Sequence, residues 1–121
     1  MGITHVGGLA VTLTGDRRRE VRFLVDSGAV YSVLPRRDWR ALGLKADRKM
    51  DFVLADGTTL TRGASACSFE IEGIRAPSPV VLGQTEDEPL LGMVTLETLG
   101  LILNPLNRSL QPMRMLMKRV S

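Results

Sequence analysis

A small closed all-β barrel is the fold this sequence predicts, on three observations. Short runs of alternating apolar and polar residues recur at short spacing, helical periodicity is confined to brief stretches, and Gly or Pro punctuates the junctions. An α/β sheet would need longer helices between its strands. The 121 residues suit one domain with one modest core, and 44% apolar content with 12 Gly and 6 Pro is that of a turn-rich globular chain. We read residues 1–121 as a single domain, with its core over about 9–105 and a C-terminal extension over 106–121.

Leu9 to Thr14 alternates, Gly15-Asp16-Arg17 interrupts, and Val21 to Val25 resumes, which predicts a β-hairpin. Tyr31 to Leu34 reads as a short strand stopped by Pro35. Arg36 to Leu42 offers one or two helical turns with Trp39 and Leu42 on a common face and Gly43 as the stop. Asp51 to Ala55, Asp56-Gly57 and Thr58 to Thr61 form the strongest local signal, because Asp-Gly suits the positive φ angles of a tight two-residue turn. The second arm of this projecting hairpin continues to Glu72, with Cys67, Phe69 and Ile71 on one face, and Gly73 turns it back. Pro79 to Leu82 is a further strand, Gln84 to Glu88 an acidic surface loop, and Val94 to Leu99 a short helix closed by Gly100 ahead of the strand Leu101 to Leu103. Gln111 to Ser121 reads as an edge strand or frayed tail, or as an adaptable strip of Met113, Met115 and Met117 facing a partner.

Composition narrows the function classes. Net charge is only +3, the basic residues fall in short clusters, and three Phe, one Tyr and one Trp are too few to interleave with them, which argues against nucleic acid as a partner. The single cysteine, Cys67, permits no intrachain disulfide and makes a thiolate metal site implausible. No ligand cluster suggests a metal, and no cofactor is implied. No apolar run approaches the roughly 18 residues of a membrane-spanning helix and no secretory signal opens the chain, so a cytoplasmic location is the default expectation.

The stretch FLVDSGA, Phe23 to Ala29, ends an apolar run on a carboxylate followed by a hydroxyl and a glycine. An acid so placed calls for pairing, a shifted pKa or a chemical task. Its plain use is to cap a turn through backbone hydrogen bonds. Ser27 lacks a base, since His5 is the only histidine and lies near the start of the chain. What remains for Asp26 is general acid-base chemistry, and one acid cannot both take a proton from water and donate one.

Val25-Asp26-Ser27-Gly28-Ala29 after an apolar strand, the Asp-Gly hairpin, and Leu90-Leu91-Gly92 before a short helix together resemble the retropepsins, the single-lobe aspartic proteases. The likeness covers roughly Leu9 to Pro105 and implies an acid-protease barrel with a flap hairpin and one short helix near the C-terminus. It also implies a homodimer that hydrolyses peptide bonds, with Asp26 of each chain as the catalytic acid and Ser27 and Gly28 supporting the loop. Ala29, Val30, Val33 and Leu90 would then line apolar subsites, and Val53, Leu54, Ala55, Asp56 and Gly57 would form the flap tip over a peptide or protein substrate. Val30 and Met93 depart from the pattern, since many retroviral members carry an acid and an arginine there. The alternative is a catalytically silent dimeric module on the same barrel that binds peptides without cleaving them.

Overall fold

The computed structural model describes residues 4–114. Strands β1 (His5–Val11) and β2 (Arg18–Val25) form the first hairpin. Its loop closes where the Thr12 amide donates to the Arg17 carbonyl at 3.0 Å, and Asp16 accepts the hydroxyls of Thr12 and Thr14 at 2.6 and 2.7 Å. Those two hydroxyls hold the Asp16 carboxyl below its ordinary range. β1 begins at His5, so the histidine near the start of the chain belongs to a strand.

After β3 (Ser32–Leu34) comes helix α1 (Arg36–Ala41), with Pro35 in the capping position, where its fixed φ suits a helix start. The buried Asp38 of α1 accepts two hydrogen bonds from Arg19 of β2, at 3.1 and 3.2 Å, which pins the helix to the barrel wall. Trp39 packs against the core and donates its indole N–H to the Gly83 carbonyl at 2.8 Å.

Strand β4 (Arg48–Val53) and the first half of β5 (Thr59–Ile71) form the projecting hairpin. Its turn differs from the two-residue form expected from Asp56-Gly57. Leu54 donates its amide to the Thr58 carbonyl at 2.8 Å and accepts the Gly57 amide at 2.9 Å, so Ala55, Asp56 and Gly57 all belong to the loop. Gly57 has positive φ but Asp56 does not, because its carboxylate accepts both the amide and the hydroxyl of Thr58, at 3.0 and 2.6 Å. The tight turn occurs instead at Glu72-Gly73, where φ is 54° and 78° and Ile71 pairs directly with Ile74.

β6 (Ile74–Leu82) begins ahead of the Pro79 start that the sequence indicates, and it contains both Pro77 and Pro79. Both sit where β6 pairs with β5 alone; its pairing with β3 starts only at Val80, so no missing amide is needed on the other edge. β7 (Leu90–Leu91), helix α2 (Met93–Leu99) and β8 (Leu101–Leu103) follow, and Gly100 ends α2 with a left-handed φ of 71°. β9 (Leu110–Pro112) pairs with β8 in a separate two-stranded sheet, so Gln111 and Pro112 are strand residues. Met115 and Met117 of the proposed Met strip lie outside the described residues.

Strand order is β1-β2-β7-β3-β6-β5, and β5 pairs again with β1 through Leu9–Glu70 to Val11–Ser68. The ring closes, giving the small all-β barrel expected, with β4 outside it as the free arm of the hairpin. Among the described residues no helix is long and apolar enough to cross a membrane. Inward side chains from nearly every element meet in one core, in which the Phe23 and Phe69 rings lie 5.7 Å apart and tilted by 56°. Cys67, Phe69 and Ile71 are fully buried on one face of β5, as alternation predicts.

Burial pushes the Cys67 thiol up to about 12 from an ordinary value of 9.0. The unfolded chain therefore releases this proton first as pH rises. Between the two values stability falls with pH, by up to about 1.4 kcal/mol per unit from this group. Wild type should lose melting temperature more steeply than Cys67→Ala between pH 9 and 11. Parallel slopes in the two proteins would show that the folded chain ionises this thiol freely.

Candidate active site

Asp26 is the first residue beyond β2, and its position is set by β7. The two strands run parallel with Leu24 opposite Leu90 and Val25 opposite Leu91. The Asp26 amide continues this pairing, donating to the Leu91 carbonyl at 3.1 Å. Its Oδ1 accepts the Gly28 amide at 2.9 Å and its carbonyl accepts the Ala29 amide at 3.1 Å. The acid thus does cap its own turn, and this occupies only one carboxylate oxygen; among the described residues Oδ2 has no hydrogen-bond partner. Asp26, Ser27 and Gly28 are exposed in the single chain. The desolvation that the apolar run FLV suggests is therefore not imposed on this acid by its own chain.

The loop after Asp26 is braced by the segment Leu91 to Val94. Met93 and Val94, at the start of α2, donate their amides to the Ala29 and Val30 carbonyls, each at 2.9 Å. These are among the amides that a helix start cannot satisfy internally, and here loop carbonyls take them. Gly92 donates its own amide to the Ser32 hydroxyl at 2.9 Å. A Cβ on Gly92 would lie 2.6 Å from the Tyr31 carbonyl carbon, 2.7 Å from its oxygen and 3.0 Å from the Ser32 nitrogen. Only glycine fits against that backbone, which gives the Leu-Leu-Gly sequence a steric cause.

A groove of about 780 Å³ runs between this loop and the β4–β5 hairpin. Of the predicted residues, Gly28, Ala29, Val30, Val33, Val53, Leu54 and Leu90 line it. Asp26 and Ser27 adjoin it in sequence without lining it, and Ala55, Asp56 and Gly57 lie in the turn beyond its lining. The Thr58 hydroxyl and amide hold the Asp56 carboxyl below its ordinary range, consistent with a turn-forming use.

Sequence reasoning missed Tyr31, Met50, Phe52, Leu60, Arg62 and Val81, and the acids Asp51, Asp87 and Glu88. The hairpin residues carried a usable signal. Met50 pairs with Arg62 and Phe52 with Leu60, so strict alternation along two paired strands would have placed all four on one face. The acids are partly engaged: Asp51 accepts the Thr61 hydroxyl at 2.6 Å and Asp87 accepts the Gln84 amide at 2.7 Å. A second hollow, between His5–Leu9 and Glu20–Arg22, holds none of the predicted site residues.

A closed barrel with an aspartate loop braced by a Leu-Leu-Gly turn and a hairpin lining the adjoining groove defines the retropepsin-like class. The family described as gag-polyprotein putative aspartyl protease matches residues 11–98, well over half of the chain, and the chain belongs to that family. The matched span includes the Asp26 loop, the β4–β5 hairpin and nearly all of α2. No curated protein matches the chain.

Proposed function

We propose that this protein is a homodimeric aspartic endopeptidase in which Asp26 of each chain supplies one half of the catalytic pair. The observation that supports this most is the presentation of Asp26: exposed, with one free carboxylate oxygen, on a loop braced through Leu91, Met93 and Val94, beside a largely apolar groove lined by both arms of a hairpin. A single exposed carboxylate has no partner with which to divide base and acid duties. A second chain related by a two-fold axis supplies one.

Two carboxylates roughly 3 Å apart do not both ionise readily, so the pair holds one proton over an extended pH range. The charged Asp26 takes a proton from a bound water, whose oxygen attacks the peptide carbonyl carbon. The protonated partner hydrogen-bonds the carbonyl oxygen and stabilises the charge that develops there. Collapse of the tetrahedral intermediate breaks the C–N bond, and the proton taken from water passes to the leaving amine. The two pKa values belong to the pair and not to either residue. Ser27 and Gly28 support the loop, and the hairpin closes over the peptide to exclude water.

The groove gives this reading its substrate class. Ala29, Val30, Val33, Val53, Leu54 and Leu90, together with Met50, Phe52 and Leu60, favour extended peptides with apolar side chains near the scissile bond. Val30 is 58% and Val53 75% exposed in the single chain, which leaves both free to meet substrate.

Dilution tests the dimer directly. Below the dissociation constant measured by sedimentation, specific activity should fall about tenfold for each tenfold dilution, because the active species forms from two chains. Specific activity that stays flat far below that constant would defeat the paired-acid reading.

A further inference from the structure

Three hydroxyl side chains lie in the barrel interior at positions where the apolar pattern gives no reason for them. Ser32 of β3 and Thr95 of α2 have no exposed surface, and Ser78 of β6 has 3%. Buried hydroxyls are costly unless bonded, so their partners must be found inside. Ser32 Oγ accepts the Gly92 amide at 2.9 Å and lies 2.5 Å from Thr95 Oγ1. Thr95 Oγ1 lies 2.8 Å from Ser78 Oγ, and the Ser78 hydroxyl donates to the Pro79 carbonyl at 3.0 Å.

Each hydroxyl has one proton to give. Ser78 spends its proton on the Pro79 carbonyl, so Thr95 donates to Ser78. Ser32 in turn donates to Thr95, and a lone pair of Ser32 remains for the Gly92 amide. The bonds therefore run one way, from the Gly92 amide to the Pro79 carbonyl, and no hydroxyl proton is stranded. Apolar residues of the same size would fill this space but would leave the Gly92 amide buried and unpaired.

We propose that Ser32, Thr95 and Ser78 are positioning residues for Asp26, acting through the Gly92 peptide; the proposal rests on the reading of Asp26 as the reacting acid. The hydroxyl chain fixes the orientation of the Gly92 amide and so sets where α2 begins. The first two amides of α2 hold the Ala29 and Val30 carbonyls, and the Leu91 carbonyl on the other side of Gly92 holds the Asp26 amide. Rotation of the Gly92 peptide would move these anchors together. A carboxylate that must meet its symmetry mate at hydrogen-bonding distance tolerates little such movement.

Thr95→Val keeps the side-chain shape and removes the hydroxyl, and Thr95→Ser keeps the hydroxyl. In full-length Thr95→Val, the Met93 and Val94 amides should exchange with solvent about tenfold faster than any change in core amides such as Phe69 accounts for. On a peptide substrate kcat should fall about tenfold with KM near the wild-type value, and Thr95→Ser should restore both exchange and kcat to within about threefold of wild type. Exchange at Met93 and Val94 that merely follows global stability, or an unchanged kcat in Thr95→Val, would overturn the proposal. Should Thr95→Val fail to fold, Ser78→Ala takes its place, with the same measurements and the same results supporting or overturning the role of the hydroxyl chain. Wild type lacking any Asp26-dependent cleavage would end the peptidase reading, whereas the exchange measurement judges the hydroxyl chain by itself.

Discussion

Asp26→Asn should lower kcat by about a thousandfold or more while leaving the melting temperature within about two degrees of wild type. The two parts of this expectation have separate causes. Asparagine retains an Oδ1 that accepts the Gly28 amide, and the backbone bonds to Leu91 and Ala29 do not depend on the side chain. The turn therefore keeps its form. An amide can neither take a proton from water nor hold the shared one, so the general acid-base contribution, about a hundred to ten-thousandfold for a positioned group, disappears. Symmetry adds a sharper test. If wild-type and mutant chains exchange freely in equal amounts, about one quarter of the dimers contain two aspartates, and activity should fall to about that fraction of pure wild type at the same total chain concentration. Cleavage retained by the mutant, or a mixture that keeps half the activity, would refute a reaction that needs both acids.

Gly92→Ala should be strongly destabilising, costing about 3 kcal/mol and lowering the melting temperature by about 10 °C or more. The added Cβ would meet the Tyr31 carbonyl group and the Ser32 nitrogen at 2.6 to 3.0 Å, and these are backbone atoms that cannot swing aside as a side chain can. Relief requires β3 and the start of α2 to separate. That movement stretches the Gly92 bond to Ser32 and the amide bonds of Met93 and Val94 to the Asp26 loop. Peptidase activity should fall more than the unfolded fraction explains, because the loop loses its brace even in molecules that remain folded. Gly7→Ala is the matched control: nothing lies within 4 Å of its added Cβ, and stability should hardly change. Equal melting temperatures for the two variants, followed by thermal unfolding, would show that the close approach at Gly92 is not a constraint.

The parts legible in the sequence are those set by a residue and its near neighbours. Alternation put Cys67, Phe69 and Ile71 on the buried face, Gly100 marked the end of α2, and the apolar run ahead of Asp26 marked the strand that delivers it. Local rules misread two places where a further partner intervened. Asp56 remains out of the left-handed region because Thr58 supplies its carboxylate with two donors, and β6 starts at Ile74, ahead of the expected Pro79, because Pro77 and Pro79 lie where that strand pairs on one side only.

The sequence by itself determined the strand-forming segments, the candidate acid and the family to which its surroundings point, since periodicity and turn chemistry are written in consecutive residues. Tertiary structure alone decided the closure of β1 on β5, the groove assembled from the loop and both arms of the hairpin, and the bonding of Ser32 to Thr95 across 63 positions. Those features depend on which faces meet once the chain has folded, and the burial that makes a stray hydroxyl or an added methyl costly exists only then.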